Sequence, residues 1–202
     1  MAEFVSLIPL MPLIGFLVLV CTLGKLPRLW VGLVGAGSIA IAFILVVLTG
    51  LEYLSQPEPL PYTVNVYTWM QLEGFTTNIS FLIDGLSLTM LSVITGVGFL
   101  IHVYSALFMW EDKDYSRFFS YMNLFVAAML LLVLADNLLV LFVGWEGVGL
   151  CSYLLVGFWH EERANGAAAR KAFVVTRIGD TAMALGMFLL FIHLGTLDMQ
   201  AM

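Results

Sequence analysis

The sequence predicts an all-α polytopic membrane protein of about six transmembrane helices, with one short extramembrane β-hairpin. Three observations carry that expectation. Of the 202 residues, 61% are hydrophobic and 11% charged, and the mean hydropathy is +1.01. A soluble domain carries roughly 25% charged residues. Six apolar runs approach or exceed the ~20 residues a bilayer demands. All eight Lys and Arg residues fall at or near alternate connections between those runs.

In order, the runs are Phe4–Leu23, Leu29–Leu51, Phe81–Trp110, Phe118–Ala135, Leu138–Phe158 and Ala169–Leu194. The first lacks a positive n-region and runs too long for a signal peptide. Lys25 and Arg28 lie between the first and second, Lys113 and Arg117 between the third and fourth. Arg163 lies between the fifth and sixth, Arg170 and Lys171 at the very start of the sixth, and Arg177 follows further inside it. By the positive-inside rule these three connections are cytoplasmic and the N-terminus is outside. The chain therefore divides into 1–51 (two helices), 52–80 (an outside loop), 81–117 (a third helix and inside loop) and 118–202 (helices four to six). The two residues Asp136-Asn137 force helices four and five into an antiparallel pair.

Within the outside loop, prolines keep QPEPLP extended or turned. TVNVYTWM follows, with Val64 and Val66 alternating with Thr63, Asn65 and Tyr67, a period-two strand pattern. QLEG offers a turn and FTTNISF a returning strand. A net charge of −6 with few, scattered basic residues gives no footprint for nucleic acid. Cys21 and Cys151 sit inside apolar runs and read as reduced packing residues. The sequence has no nucleotide-binding glycine fingerprint, no heme-attachment CxxCH and no iron–sulfur cysteine set, so no redox cofactor is expected in this chain.

The candidate functional residues are the ionisable groups inside the runs. Glu146, between Trp145 and Gly147, lies in the middle of the fifth. A carboxylate at bilayer depth costs about 3 kcal/mol on insertion scales and is retained for a purpose. Two readings stand: a protonated Glu hydrogen-bonded between helices, or a group that loads and releases a proton. Gly144, Gly147 and Cys151 make a small-residue stripe beside it, open to a close neighbour helix. Gly149 and Tyr153 continue its own face. In the sixth run Arg177, Asp180, Thr181 and Ala184 share one face. Asp180 lies ~17 Å beyond Ala169 at 1.5 Å per residue, and Arg177 pairs with it one turn away. That pair is either a static link between helices or part of a proton route. Asp84, Thr95 and His102 align on the third run and Asn123 lies on the fourth. His102 reads as a packed residue or a proton relay, and Asp84 as a cap or a functional acid. His160, Glu161 and Glu162 read as a solvated cluster, since the HExxH spacing is absent.

The stretches GWEGVGLCSYLLVGFW and NGAAARKAFVVTRIGD, with LIDGLSLTMLSVITGVGFLIHVYS and YSRFFSYMNLFVAAMLLLVLADNLL, resemble the L subunit of bacterial NADH:quinone oxidoreductase, respiratory complex I. The mitochondrial counterpart is NADH dehydrogenase subunit 5. The resemblance covers essentially the whole chain. It implies an antiporter-like, proton-translocating subunit of the bacterial inner membrane, with the other membrane-arm subunits and the lipid bilayer as partners. NADH, flavin, iron–sulfur clusters and quinone would be handled on other subunits. It implies that Glu146 is the family's fifth-helix Glu, which pairs with a Lys on the next, broken helix. Arg177 and Asp180 are then the Arg and Asp of RIGD. The family protein is longer, with two inverted repeats, so these residues are expected to be its N-terminal portion, an incomplete antiporter-like fold. A sodium/proton antiporter of the Mrp type and a non-conducting docking fragment are the competing readings.

Overall fold

The computed structural model describes residues 2–22, 24–58, 60–72 and 75–202. Its helices are α1 (Ala2–Val5), α2 (Leu7–Cys21), α3 (Arg28–Leu54), α4 (Gly85–Phe108), α5 (Tyr115–Leu134), α6 (Leu138–Val156) and α7 (Arg163–Leu194). Five of them, α3 to α7, are long and apolar enough to cross a membrane. The first expected span departs from the simple picture. It is broken at Ser6, and α2 alone has 15 residues, or about 22 Å against a hydrocarbon core of about 30 Å. The short α1 supplies the missing turn.

The hairpin forms as β1 (Tyr62–Leu72) and antiparallel β2 (Phe75–Ile83). Part of the expected QLEG turn, residues 73–74, lies outside the described residues. The expected alternation holds only as far as Asn65. There the register jumps from Asn65↔Ser80 to Tyr67↔Ile79, leaving Val66 as an extra residue and exposed. The third apolar run also starts later than its composition suggests, because Phe81 to Ile83 belong to β2. Asp84 then sets the start of α4: its side chain accepts from Ser87 N at 2.7 Å, and Ser87 Oγ accepts from Asp84 N at 2.9 Å. These reciprocal bonds form a capping box, so Asp84 caps α4.

Two apolar clusters fill the bundle. One lies under the hairpin and joins Ile8, Ile39, Val46, Leu91, Val126 and Leu130 to Phe81 and Ile83. The other lies at the opposite end, around Leu19, Val31, Tyr115, Phe119 and Phe158. Between the α2, α3 and α5 backbones, Ser38 Oγ donates to Asn123 Oδ1 at 2.6 Å, and Asn123 Nδ2 donates to Phe119 O at 3.0 Å. Gly15 makes room for that bond: a Cβ there would meet both Asn123 Oδ1 and Ser38 Oγ at 2.7 Å. The α5–α6 pair is closer still. A Cβ on Gly144 would lie 2.7 Å from both Cα and N of Leu132, while Gly147 faces Ala128 and Cys151 is fully buried. The expected small-residue stripe is therefore where α5 docks. Cys21, by contrast, is exposed rather than packed.

The three basic connections meet at one end of the bundle. Arg28 donates to Trp110 O at 2.6 Å, Arg117 to Phe158 O at 3.1 Å and Trp159 Nε1 to Asp112 at 2.9 Å, and Lys113 pairs with Glu161. The bond from Trp159 holds the Asp112 carboxyl below its ordinary range, and the one from Lys113 does the same for Glu161. At the hairpin end, Asn137 caps α6 through Val140 N (3.0 Å) and donates to Asn78 O (2.8 Å), while Ser80 donates to Asp136 at 2.5 Å. Residues 195–202 close against the same turn, with Leu138 N to Leu197 O at 2.9 Å and Met199 N to Asp136 O at 3.1 Å.

Two outcomes follow. Gly144→Val should lower the melting temperature of the detergent-solubilised protein, at a cost of about 1–3 kcal/mol or more for overpacking against backbone. Gly37→Ala, where an added Cβ meets nothing within 4 Å, should leave it unchanged or raise it slightly, since Ala is the better helix former; an equal loss would remove the close approach as the cause. Because both loop carboxylates have folded values below their unfolded ones, their contribution is complete above about pH 5, where the unfolded groups are ionised, and is lost as pH falls through the lowered values. Amide protection at 110–117 and 158–163 should accordingly drop below about pH 4, and should hold between pH 5 and 8.

Candidate functional site

The site is built on α6 and α7, whose midpoints lie side by side. Glu146 is eight residues from the start of α6 at Leu138, ~12 Å along a helix of ~28 Å. Arg177 occupies the corresponding midpoint of α7. Their side chains pair directly, guanidinium to Glu146 Oε2. The same Nη1 of Arg177 lies 3.5 Å from Asp180 Oδ2. The other carboxylate oxygen of Asp180 accepts from Trp145 Nε1 at 2.8 Å. One cation is thus shared by two carboxylates, and the more buried of the two is also held by an indole. Asp180 is only 5% exposed.

Aromatic rings complete the arrangement. The guanidinium carbon of Arg177 lies 4.5 Å from the centre of the Phe173 ring, a distance at which the ring face attracts a cation. Phe173 in turn packs on Tyr153 at 5.3 Å between ring centres. The face of Glu146 and Tyr153 expected on α6 is therefore the one that meets α7. Thr181 turns back on its own helix, donating to Arg177 O at 2.9 Å.

The arrangement of charges has a chemical consequence. A guanidinium is a permanent cation in proteins. Two ionised carboxylates beside it leave one negative charge uncompensated in a medium of low dielectric, and binding one proton removes it. Asp180 keeps its Trp145 donor whatever Arg177 does, whereas Glu146 has only Arg177 among the described residues. A shift of the guanidinium toward Asp180 therefore leaves Glu146 either protonated or unpaired.

Sequence reasoning placed Glu146, Arg177 and Asp180 at membrane depth and paired Arg177 with Asp180. It did not find that Arg177 reaches across to Glu146, for which a Lys was the expected partner. Nor did it find Trp145 as the donor to Asp180 or Phe173 beneath the guanidinium. Phe173 lies one turn before Arg177, so helical spacing carried that signal, whereas the bond from Trp145 to Asp180 runs between two helices and spacing within one of them does not show it. His102 lies elsewhere, on α4, fully buried against Phe119 at 6.0 Å between ring centres. Its Nδ1–H donates to Gly98 O at 2.7 Å, and its Nε2 has no partner among the described residues. Thr95, also fully buried, donates to Leu91 O at 2.7 Å. Among the described residues, no group of three His, Cys, Asp or Glu side chains is placed to hold a metal ion.

Two family models match the chain. Residues 69–119 match "NADH-Ubiquinone oxidoreductase (complex I), chain 5 N-terminus", and residues 135–202 match "NADH:quinone oxidoreductase/Mrp antiporter, TM". NADH-quinone oxidoreductase subunit L of Escherichia coli (strain K12) is 48% identical over 99% of this chain. The chain belongs to the subunit L family. The Pseudomonas aeruginosa subunit L is 50% identical over 95% of the chain, and that of Mycobacterium tuberculosis 53% over 66%. The chain spans about a third of the length of the first two relatives, 32% and 31%. Among solved structures, "Structure of the membrane-bound sulfane sulfur reductase (MBS), an archaeal respiratory membrane complex" superposes with a TM-score of 0.73 at 23% identity. That match covers 95% of this chain and 28% of the other, and it supports the fold.

Trp145→Phe should destabilise the α6–α7 contact by about 1–3 kcal/mol, the cost of removing a hydrogen bond to a charged buried acceptor. Asp180→Asn in the same chain should recover part of it. Thermal melting of the four members of this cycle checks the coupling; additive effects would show that the indole and the carboxylate do not interact.

Proposed function

We propose that this chain forms the N-terminal part of a proton-translocating membrane subunit of NADH:quinone oxidoreductase, in which Glu146, Arg177 and Asp180 carry or gate the proton. The single observation that supports it most is the guanidinium shared between two carboxylates at mid-helix depth. Such a triad has two arrangements that differ by one proton. With Arg177 on Glu146, both members are ionised and paired. With Arg177 drawn to Asp180, Glu146 takes up a proton. Whatever moves Arg177 thus moves one proton on or off Glu146, and the reverse holds by linkage.

The energy source lies outside the chain. Quinone reduction elsewhere in the complex would displace charge in neighbouring membrane-arm subunits, and Coulomb coupling in a low-dielectric interior would carry that change to Arg177. No redox cofactor is required here. His102, with one free ring nitrogen, serves as a further relay or positions α4 against α5. By the positive-inside rule, the end bearing the basic connections faces the cytoplasm of a bacterial inner membrane and the hairpin faces outside.

The second family model covers Mrp antiporters as well as the oxidoreductase, and this supports a second reading, sodium/proton exchange. In the assembled complex reconstituted into vesicles, Glu146→Gln should reduce quinone-dependent acidification at least about tenfold, the scale on which removing a transport-essential group registers (1.4 kcal/mol per decade). Asp180→Asn should reduce it less, and external sodium should leave wild-type rates unaltered. Undiminished acidification in an assembled Glu146→Gln complex would sink the proton reading. A requirement for sodium would favour exchange.

A further inference from the structure

The basic end of the bundle contains a cavity of about 630 Å³, away from α6 and α7. Its lining includes Arg28, Lys113 and Arg117 against one acid, Asp114. Arg117 Nη2 pairs with Asp114 at 3.0 Å, but its buried Nε has no partner among the described residues. Arg28 is held by two backbone carbonyls, Trp110 O at 2.6 Å and Asp112 O at 3.3 Å. Among the described residues no carboxylate neutralises it. Held this way, its charge is fixed in place and still available.

Two helices also begin here. α3 starts at Arg28 after Pro27, and α5 starts at Tyr115 after Asp114; neither N-cap residue makes a side-chain capping bond. The Asp114 carboxylate is turned to Arg117 instead. Arg28, Tyr115, Ser116 and Arg117, the first-turn residues of both helices, line the cavity. Uncapped first-turn N–H groups and the positive ends of two helices favour an anion. The remaining wall is apolar, with Leu19, Val20 and Val31 from the membrane part of α2 and α3. The cavity therefore joins a cationic, donor-rich floor, in which no carboxylate pairs with Arg28 among the described residues and Lys113 pairs only with the exposed Glu161, to an apolar slope at the level where the helices leave the hydrocarbon.

We infer that this cavity binds the phosphate of an anionic phospholipid, with Arg28 as its fixed charged donor and Lys113, whose pair with Glu161 is exposed to solvent, turning in as the second. A bidentate guanidinium matches phosphate oxygens, and basic pockets between transmembrane helices are a recurring way of holding anionic headgroups. The apolar wall distinguishes a lipid from a free phosphate ion, because it gives the glycerol and first acyl carbons somewhere to lie.

The test uses the assembled complex in nanodiscs of phosphatidylcholine doped with a photoreactive phosphatidylglycerol, reading the label on the peptide that contains Ser116 to Tyr121. Arg28→Gln with Lys113→Gln should cut labelling about thirtyfold, each surface charge being worth roughly a factor of five. Lys113→Gln alone, at an exposed position, should cut it about fivefold even if the Arg28 variant assembles poorly. Arg28→Lys should keep most of it. Labelling unchanged in Lys113→Gln and in the double variant would overturn the inference. Loss of wild-type labelling on adding millimolar inorganic phosphate would overturn the lipid assignment in favour of a free phosphate.

Discussion

One guanidinium between two carboxylates sets the terms for the α6–α7 half of the structure. Neither α6 nor α7 could carry its ionised groups alone at bilayer depth without a cost of several kcal/mol. Side by side, Glu146 and Asp180 share the guanidinium of Arg177, and the indole of Trp145 adds a second hold on Asp180. The buried residues of α7, Ala169, Asp180 and Met187, all mark its contact side. Ala169 meets Gly157, and Asp180 meets Trp145. Most of the rest of α7 is exposed or half-buried, so this seam is its main hold on the bundle.

That seam depends on how firmly α6 is held from behind. Gly144 brings the α6 backbone against the backbone of Leu132, and Asn137 caps α6 at its start. With α6 immobile relative to α5, a small displacement of α7 changes the Glu146–Arg177 separation rather than being absorbed by tilting α6. Interiors packed this closely tend to switch between arrangements instead of deforming smoothly. The chemistry proposed for the triad needs that property.

Much of the architecture was legible in the sequence because the bilayer is a severe solvent. Apolar length marks the helices, and the alternation of Lys25, Arg28, Lys113, Arg117 and Arg163 marks which ends lie together. The small residues Gly144, Gly147 and Cys151 announced the α5 contact. What composition could not show was local hydrogen bonding. Phe81 to Ile83 are as apolar as the helix that follows them, yet pair as a strand until the Asp84 cap starts α4. Val66 looks like an inward strand residue until a bulge turns it out. At the site, i to i+3 spacing revealed Arg177 with Asp180 because both lie on one helix. The bond from Arg177 to Glu146 crosses between helices, and no periodicity within a single segment records it.

The two-residue turn Asp136-Asn137 does more than reverse the chain. It holds β2 through Asn78 and Ser80 on one side and the stretch after α7 through Leu197 and Met199 on the other. Hairpin, turn and the far end of α7 thus form one mechanical linkage outside the membrane. A neighbour that grips the hairpin would bear on α7 without itself touching any residue within the bilayer. The lever arm is α7 itself, with Arg177 at its middle.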